Sequence, residues 1–279
     1  MARHIITIIL ICALTILCMF RPFMPGRYDN LSVTISFMTQ IFSFVSLLFV
    51  PLGLFWLLLG FSKTKAKKRN RHFTVLSIAI WGLVAIIVSV VPLSSNNLSF
   101  AVIFLVIAFS LLVIAYSKSR KSFTSDNPQF NPTPIYLIVI PLVLVTTRFL
   151  FIEKAVEYSR NKAIRNSEPL IQSIESHYKN HGHYPISLQA LHSDYLPNVV
   201  GISQYYYEPN GNAYNLYFKQ FSEDLAGEEI VMYNKLDEHF FAAHAMDILE
   251  YTGEELSLRR GDRRRFNLSA RNWIYIKFD

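Results

Sequence analysis

Long apolar runs crowd the first half of the chain, and none of comparable length follows. They are Ile5–Phe20, Phe37–Phe61, Phe73–Val91, Leu98–Tyr116 and Ile135–Ile152. Each is close to the roughly 20 residues a helix needs to cross about 30 Å of hydrocarbon, so the pattern predicts five transmembrane helices within residues 1–152. After Ile152 the periods shorten. Glu153–Arg165 is charged yet helix-compatible and should carry the fifth helix out of the bilayer. Ser167 reads as the N-cap of a further helix, with Pro169 in its first turn and Leu170, Ile171, Ile174 and Tyr178 at helical spacing up to Gly182. Ser187–Leu191 reads as a short helix. Strand-like segments follow: Gln204–Tyr207 and Tyr214–Phe218 around the hairpin signal Pro209-Asn-Gly-Asn212, then Glu229–Tyr233, His239–Ala242, Leu256–Leu258, Phe266–Leu268 and Trp273–Phe278. Residues 153–279 are thus expected to form an α+β domain, a long helix on an antiparallel sheet.

Charge sharpens this division. Of the 20 acidic residues only Asp29 and Asp126 precede Glu153, whereas the 27 Lys and Arg are spread over both halves. Apolar residues make up 52% of the chain, high for a soluble protein. The basic residues of the first half sit in short connections, which reflects membrane topology better than nucleic-acid binding. Lys63, Lys65, Lys67, Lys68, Arg69 and Arg71 form one basic connection and Lys118, Arg120 and Lys121 another, flanking the uncharged Pro92–Asn97. By the positive-inside pattern the basic connections face the cytoplasm, the N-terminus lies inside and the C-terminal domain outside. The loop with Arg21, Arg27 and Asp29 then lies outside as a small violation. No small-x-small cleavage site follows the first run, so it reads as an uncleaved anchor. Both cysteines, Cys12 and Cys18, lie in that run, and the C-terminal domain has none to staple it.

The stretch Tyr178-x3-Gly182-x-Tyr184-Pro185-x-Ser187-Leu188-x2-Leu191, behind a membrane helix and before a Tyr-rich hairpin, resembles the globular part of type IV pilins and type II secretion pseudopilins. The resemblance covers Ile135 to about Phe218. It implies a first helix that spans the membrane and packs on an antiparallel sheet. Here four spans come first, and Ile135–Val145 carries neither a processing site nor the early Glu of that family, so the resemblance implies a fold rather than pilus assembly.

Candidate chemistry is sparse. Arg259, Arg260, Arg263, Arg264 and Arg265 crowd a turn around Gly261-Asp262 and could grip phosphates of a lipid headgroup or an anionic envelope polymer. A solvated tip neutralised by Glu250, Glu254 and Glu255 is the competing reading. His177, His181 and His183, with His192 nearby, are weak candidates for a metal; without a supporting Cys, no metal site is expected. Ser32, Ser36, Thr39, Ser43 and Ser46 share one face of the second span and are expected to serve helix packing in preference to a polar path. Arg148, the charge well inside a span, could snorkel or pair with Glu153. Pro51 and Pro141 are candidate kinks. No nucleophile elbow, zinc-protease pair or phosphate loop is present, so no enzyme and no cofactor are expected.

The expectation is a multi-pass protein of a bacterial inner membrane with an extracytoplasmic pilin-like domain. It would act as a non-enzymatic interaction or assembly module at the cell envelope. Its partners would be membrane lipids, an envelope or membrane protein, and an anionic polymer or lipid headgroup, with no nucleic acid. The alternatives are a transporter or channel subunit with a Ser/Thr-lined helix interface, and a ligand sensor signalling through a membrane partner.

Overall fold

A computed structural model describes residues 2–60, 66–94, 98–122, 132–191, 194–222, 224, 227–239 and 263–278. It is mostly helical with a small antiparallel sheet, compatible with a membrane protein plus a sheet domain. Among the described residues six α-helices run in chain order: α1 Ala2–Phe20, α2 Asn30–Val45, α3 Phe49–Gly60, α4 Ala66–Ser94, α5 Leu98–Ser122 and α6 Thr133–His181. Among the described residues four helical stretches are long and apolar enough to cross a membrane, Ala2–Phe23, Asn30–Leu59, Asn70–Val90 and part of Thr133–His181. Phe100–Ile114 of α5 is a shorter apolar stretch. These helices carry Ile9, Leu14, Phe55, Ile86, Phe109 and Phe149 exposed, the reverse of a soluble bundle. The pattern suggests a membrane-embedded protein.

The chain separates into two compact units. The first holds Met1–Phe20 and Leu31–Phe151. Within it the span beginning at α2 is interrupted by a 3-10 turn, Ser46–Leu48, before α3 resumes. Pro51 cannot donate to the carbonyl four residues earlier, Leu47, which places the irregularity where the sequence flags a kink. Gly53 lets α3 and α6 touch: a Cβ there would lie 2.7 Å from Ile138 Cγ1 and 2.9 Å from the Pro134 carbonyl.

The second unit holds Ile152–Asp279 together with Arg21–Asn30. The sequence gives no sign that the short α1–α2 connection belongs with the C-terminal domain. It is sewn in by backbone bonds: Gly201 N to Pro22 O at 2.7 Å, Val200 N to Met24 O at 3.0 Å, Gly26 N to Asn198 O at 3.0 Å and Asp29 N to Val200 O at 3.1 Å. Pro22 and Phe23 are buried.

The sheet has strands β1 Tyr206–Asn210, β2 Ala213–Phe221, β3 Glu228–Asn234, β4 Arg263–Asn267 and β5 Trp273–Phe278 in the spatial order β1-β2-β3-β5-β4, with every neighbour antiparallel. Gly211 (φ 57°) occupies the first central position of the two-residue β1–β2 turn, where a left-handed conformation is needed. Tyr214, Leu216, Phe218, Val231 and Trp273 join Ala163, Leu170 and Ile174 of α6 in one buried core, and Tyr217, Ile230, Met232, Ile274 and Ile276 form a second. The strand period of two explains the division: residues 214, 216 and 218 of β2 join the first core and residue 217 the second.

Three sequence expectations change here. No new helix starts at Ser167; α6 is continuous over 49 residues. Ser167 is buried and donates back to the Ile164 carbonyl at 2.7 Å, so packing overrides its capping preference. The strand expected at Phe266–Leu268 instead begins at Arg263. Phe240–Ala242 and Leu256–Leu258 lie outside the described residues, and His239 is not in a strand. The Gly182–Leu188 motif does form the turn out of α6: Gly182 has φ 76°, and buried Tyr184 stacks on Tyr178 at 4.4 Å.

Candidate functional site

The arginine cluster is built differently from the expected turn. Arg263, Arg264 and Arg265 lie in β4, an edge strand among the described residues, and not at a turn tip. Strand alternation sends the exposed Arg264 and Arg265 to opposite faces. Arg265 Nη2 donates to His239 Nδ1 at 3.1 Å, while His239 Nε2 sits 3.0 Å from the Asn272 carbonyl and donates to it. That tautomer is neutral, and burial lowers the His239 pKa from its ordinary value. Arg259 and Arg260 lie outside the described residues. What remains is a basic sheet edge whose Arg265 is oriented by a buried imidazole.

The histidine group closes a turn. The rings of His177 and His181 stack at 4.2 Å, and His183 lies 5.6 and 6.1 Å from them. Each Nδ1 faces a backbone carbonyl: His177 that of His183, His181 that of His177 and His183 that of Tyr184. Among the described residues no group of three or more His, Cys, Asp or Glu is placed to hold a metal ion.

The Ser/Thr face of α2 spends its hydroxyls on backbone. Ser36 donates to the Met19 carbonyl of α1, Thr39 to Ser36 O, Ser43 to Gln40 O and Ser46 to Ser43 O. Ser36, Ser43 and Ser46 are buried, whereas Ser32 and Thr39 are half-buried. Arg148 is 4% exposed and donates through Nε to Gln40 Oε1 at 3.2 Å, with its guanidinium 4.9 Å from the Phe44 ring centre. The sequence suggests snorkelling or a pairing with Glu153; the contact with Gln40, 108 residues away, has no local signal.

Two further polar nodes escape the sequence. Arg160 on α6 meets the fully buried Glu229 on β3 through Nε at 2.8 Å and Nη2 at 2.6 and 2.9 Å. Gln220 adds a bond to Glu229, Ser159 lies 3.0 Å from Gln220 Oε1, and the Arg160 guanidinium covers the Tyr275 ring at 3.8 Å. Lys235 reaches Glu175 Oε2 at 2.7 Å and the Tyr184 hydroxyl at 2.6 Å, bonds that hold its pKa above the ordinary lysine value. Beside it Tyr214 is buried and its pKa is raised, first by burial and then by Tyr233 and Glu175. The Arg160–Glu229 node is buried and fully engaged, and the Lys235–Glu175 pair is half-exposed. Among the described residues the buried Tyr214 hydroxyl and Glu175 Oε1 have no hydrogen-bond partner; both ion pairs join helix to sheet.

No protein-family model, curated protein or solved structure matches this chain.

Proposed function

We propose that this is a multi-pass protein of a bacterial inner membrane whose extracytoplasmic, pilin-like sheet domain is a non-enzymatic interaction or assembly module. The observation that carries the reading is the double fastening of that domain. Arg160–Glu229 ties it to α6, and the Pro22–Asp29 backbone ladder ties it to the α1–α2 connection. Two segments of this domain continue into apolar helices, and its basic β4 edge is the surface it offers to an acidic partner.

Parity supports five crossings. If Arg21–Asn30 and residues 152–279 share one side, the chain leaves that side through α2–α3 and returns through α6. Between them α4 and α5 must then cross together or not at all, and α4 is long and apolar enough to cross. The basic sequence between α3 and α4 and at the end of α5 favours the cytoplasm for the other side.

A second reading, a sensor acting through a membrane partner, is favoured by the same ladder. A ligand that moved Asn198–Gly201 would pull on α1 and α2 as well as α6. A transport role finds less support, because the hydroxyls of Ser36, Thr39, Ser43 and Ser46 are taken up by backbone carbonyls.

Crosslinking the full chain in native membranes, with and without Arg264→Glu and Arg265→Glu, tests the module. Loss of a specific crosslinked partner in the variant supports it, and an unchanged crosslinking pattern rejects the basic edge as the contact surface. A reporter fused after Asp279 and found cytoplasmic would overturn the orientation.

A further inference from the structure

A cavity of about 400 Å³ opens among the apolar helices, walled by Phe49, Trp56, Trp81, Leu112, Leu137 and Ile140. Its size falls within the range of small-molecule sites. Its wall comes from the second half of the α2–α3 span, from Phe42 to Trp56, the first half of α4, the later part of α5 and the start of α6. In helices that cross alternately these segments share one leaflet, the one where the chain is basic.

The lining decides what kind of molecule fits. Ser46, Thr74 and Ser77 face the cavity, but their hydroxyls donate to the carbonyls of Ser43, Asn70 and Phe73 at 3.0, 2.9 and 2.7 Å. Trp56 Nε1 donates to Asn70 Oδ1 at 3.0 Å, and the Tyr136 hydroxyl is engaged by His4. These donors are spent, and of the remaining lining residues only Thr133 is polar, so the walls present mostly carbon to an occupant. A polar solute would be desolvated there without compensation, whereas an acyl chain would not.

The mouth has the opposite character. His4 bonds to Tyr136 on the cavity wall, which brings the exposed Arg3 to this end. Exposed Arg71 directly follows Asn70, the partner of Trp56. Arg71 and His72 also head an apolar groove along an adjacent face of α4, continued by Val75, Leu76 and Ala79. Lys67, Lys68 and Arg69 belong to the first turn of the same helix. A dry slot for a chain beside a basic rim is complementary to a lipid with an anionic headgroup.

We infer that this cavity is a binding site for an anionic phospholipid, which places an acyl chain against Trp56 and Trp81 and its phosphate beside Arg3 and Arg71. The inference rests on the membrane reading of the helices and is separable from it.

Two of the three tryptophans, Trp56 and Trp81, line the cavity, and Trp273 lies in the sheet core as an unquenched baseline. The full-length protein is reconstituted into phosphatidylcholine vesicles holding a minor fraction of phosphatidylglycerol or phosphatidylcholine with brominated acyl chains, and tryptophan quenching is read. Each basic residue at a membrane surface is worth about fivefold in attraction of an anionic lipid, so brominated phosphatidylglycerol should quench several-fold more efficiently per mole. Arg3→Gln with Arg71→Gln should remove that preference and leave quenching by brominated phosphatidylcholine unchanged. Ser77→Phe, which fills the slot, should weaken quenching by both. Equal quenching by the two lipids in the unaltered protein overturns the site and leaves the membrane reading intact; quenching by neither overturns both.

Discussion

Arg160 Nη2 lies 2.6 Å from Glu229 Oε1 with the carboxylate fully buried and the guanidinium nearly so. The pair fixes the azimuth of α6 on the sheet, because the apolar contacts around it would tolerate a small rotation and a forked pair would not. Removing one partner leaves an uncompensated buried charge. Arg160→Ala or Glu229→Ala should therefore cost about 3–5 kcal/mol, whereas Arg160→Met combined with Glu229→Leu should cost much less. Thermal unfolding of the four proteins in detergent checks this: a Met/Leu double variant no more stable than either alanine variant would reject it.

Gly201 is the closest point of the ladder that holds Arg21–Asn30. A Cβ there would meet Pro22 Cβ and the Pro22 carbonyl, both at 2.9 Å. Gly201→Ala should strain this contact by about 1–3 kcal/mol, the usual cost of overpacking. Limited proteolysis should then cut the Met24–Asp29 segment faster than in the unaltered protein, with sheet content by circular dichroism retained.

His239 gives the domain an acid-side weakness. Burial depresses its folded pKa below the ordinary value, so the unfolded chain binds the proton more readily. Its contribution is complete above that ordinary value, about 6.5, and is lost as pH falls below it. Melting temperature should decline between pH 7 and pH 5, and His239→Gln should flatten the decline. A pH profile that is the same in both proteins would reject this assignment.

Gln40 and Arg148 make a polar contact across the apolar helices at 3.2 Å. Gln40→Leu takes an acceptor from a buried cation and should destabilise the detergent-solubilised protein by about 1.5–3 kcal/mol, the range for a hydrogen bond to a charged group. Adding Arg148→Met should restore part of the loss. Melting curves of the single and double variants distinguish this from simple loss of packing.

The apolar helices and the β1–β2 hairpin were legible because each is written in contiguous residues: long runs without charge, and Asn210-Gly211 between alternating aromatics. What joins distant segments was not. Arg160 sits among Glu157, Lys162 and Arg165 in a stretch that reads as a solvated helix face, and nothing local says that Glu229 waits 69 residues on. Arg21–Asn30 looks like a minimal connection because backbone pairing to Asn198–Gly201 leaves no side-chain pattern. Ser167 carries a genuine capping preference, yet burial against the sheet core retains it inside α6. At β4 the run of arginines hid a strand, since an edge tolerates charge that a central strand would not.

The Pro22–Gly201 contact also imposes an order in time. About 170 residues separate the loop at Asp29 from its partner Val200. At about 5–20 residues per second the ribosome needs on the order of ten seconds or more to supply that partner. During this interval the loop has no ladder to join. If the apolar helices cross a membrane as proposed, the sheet domain can finish folding only when the first-made loop and the last-made strands have emerged on the same face of it. Its completion is thus a readout of correct threading: a chain with a misplaced hairpin would leave Val200 and Gly201 with open backbone groups and an exposed flank for quality-control proteases.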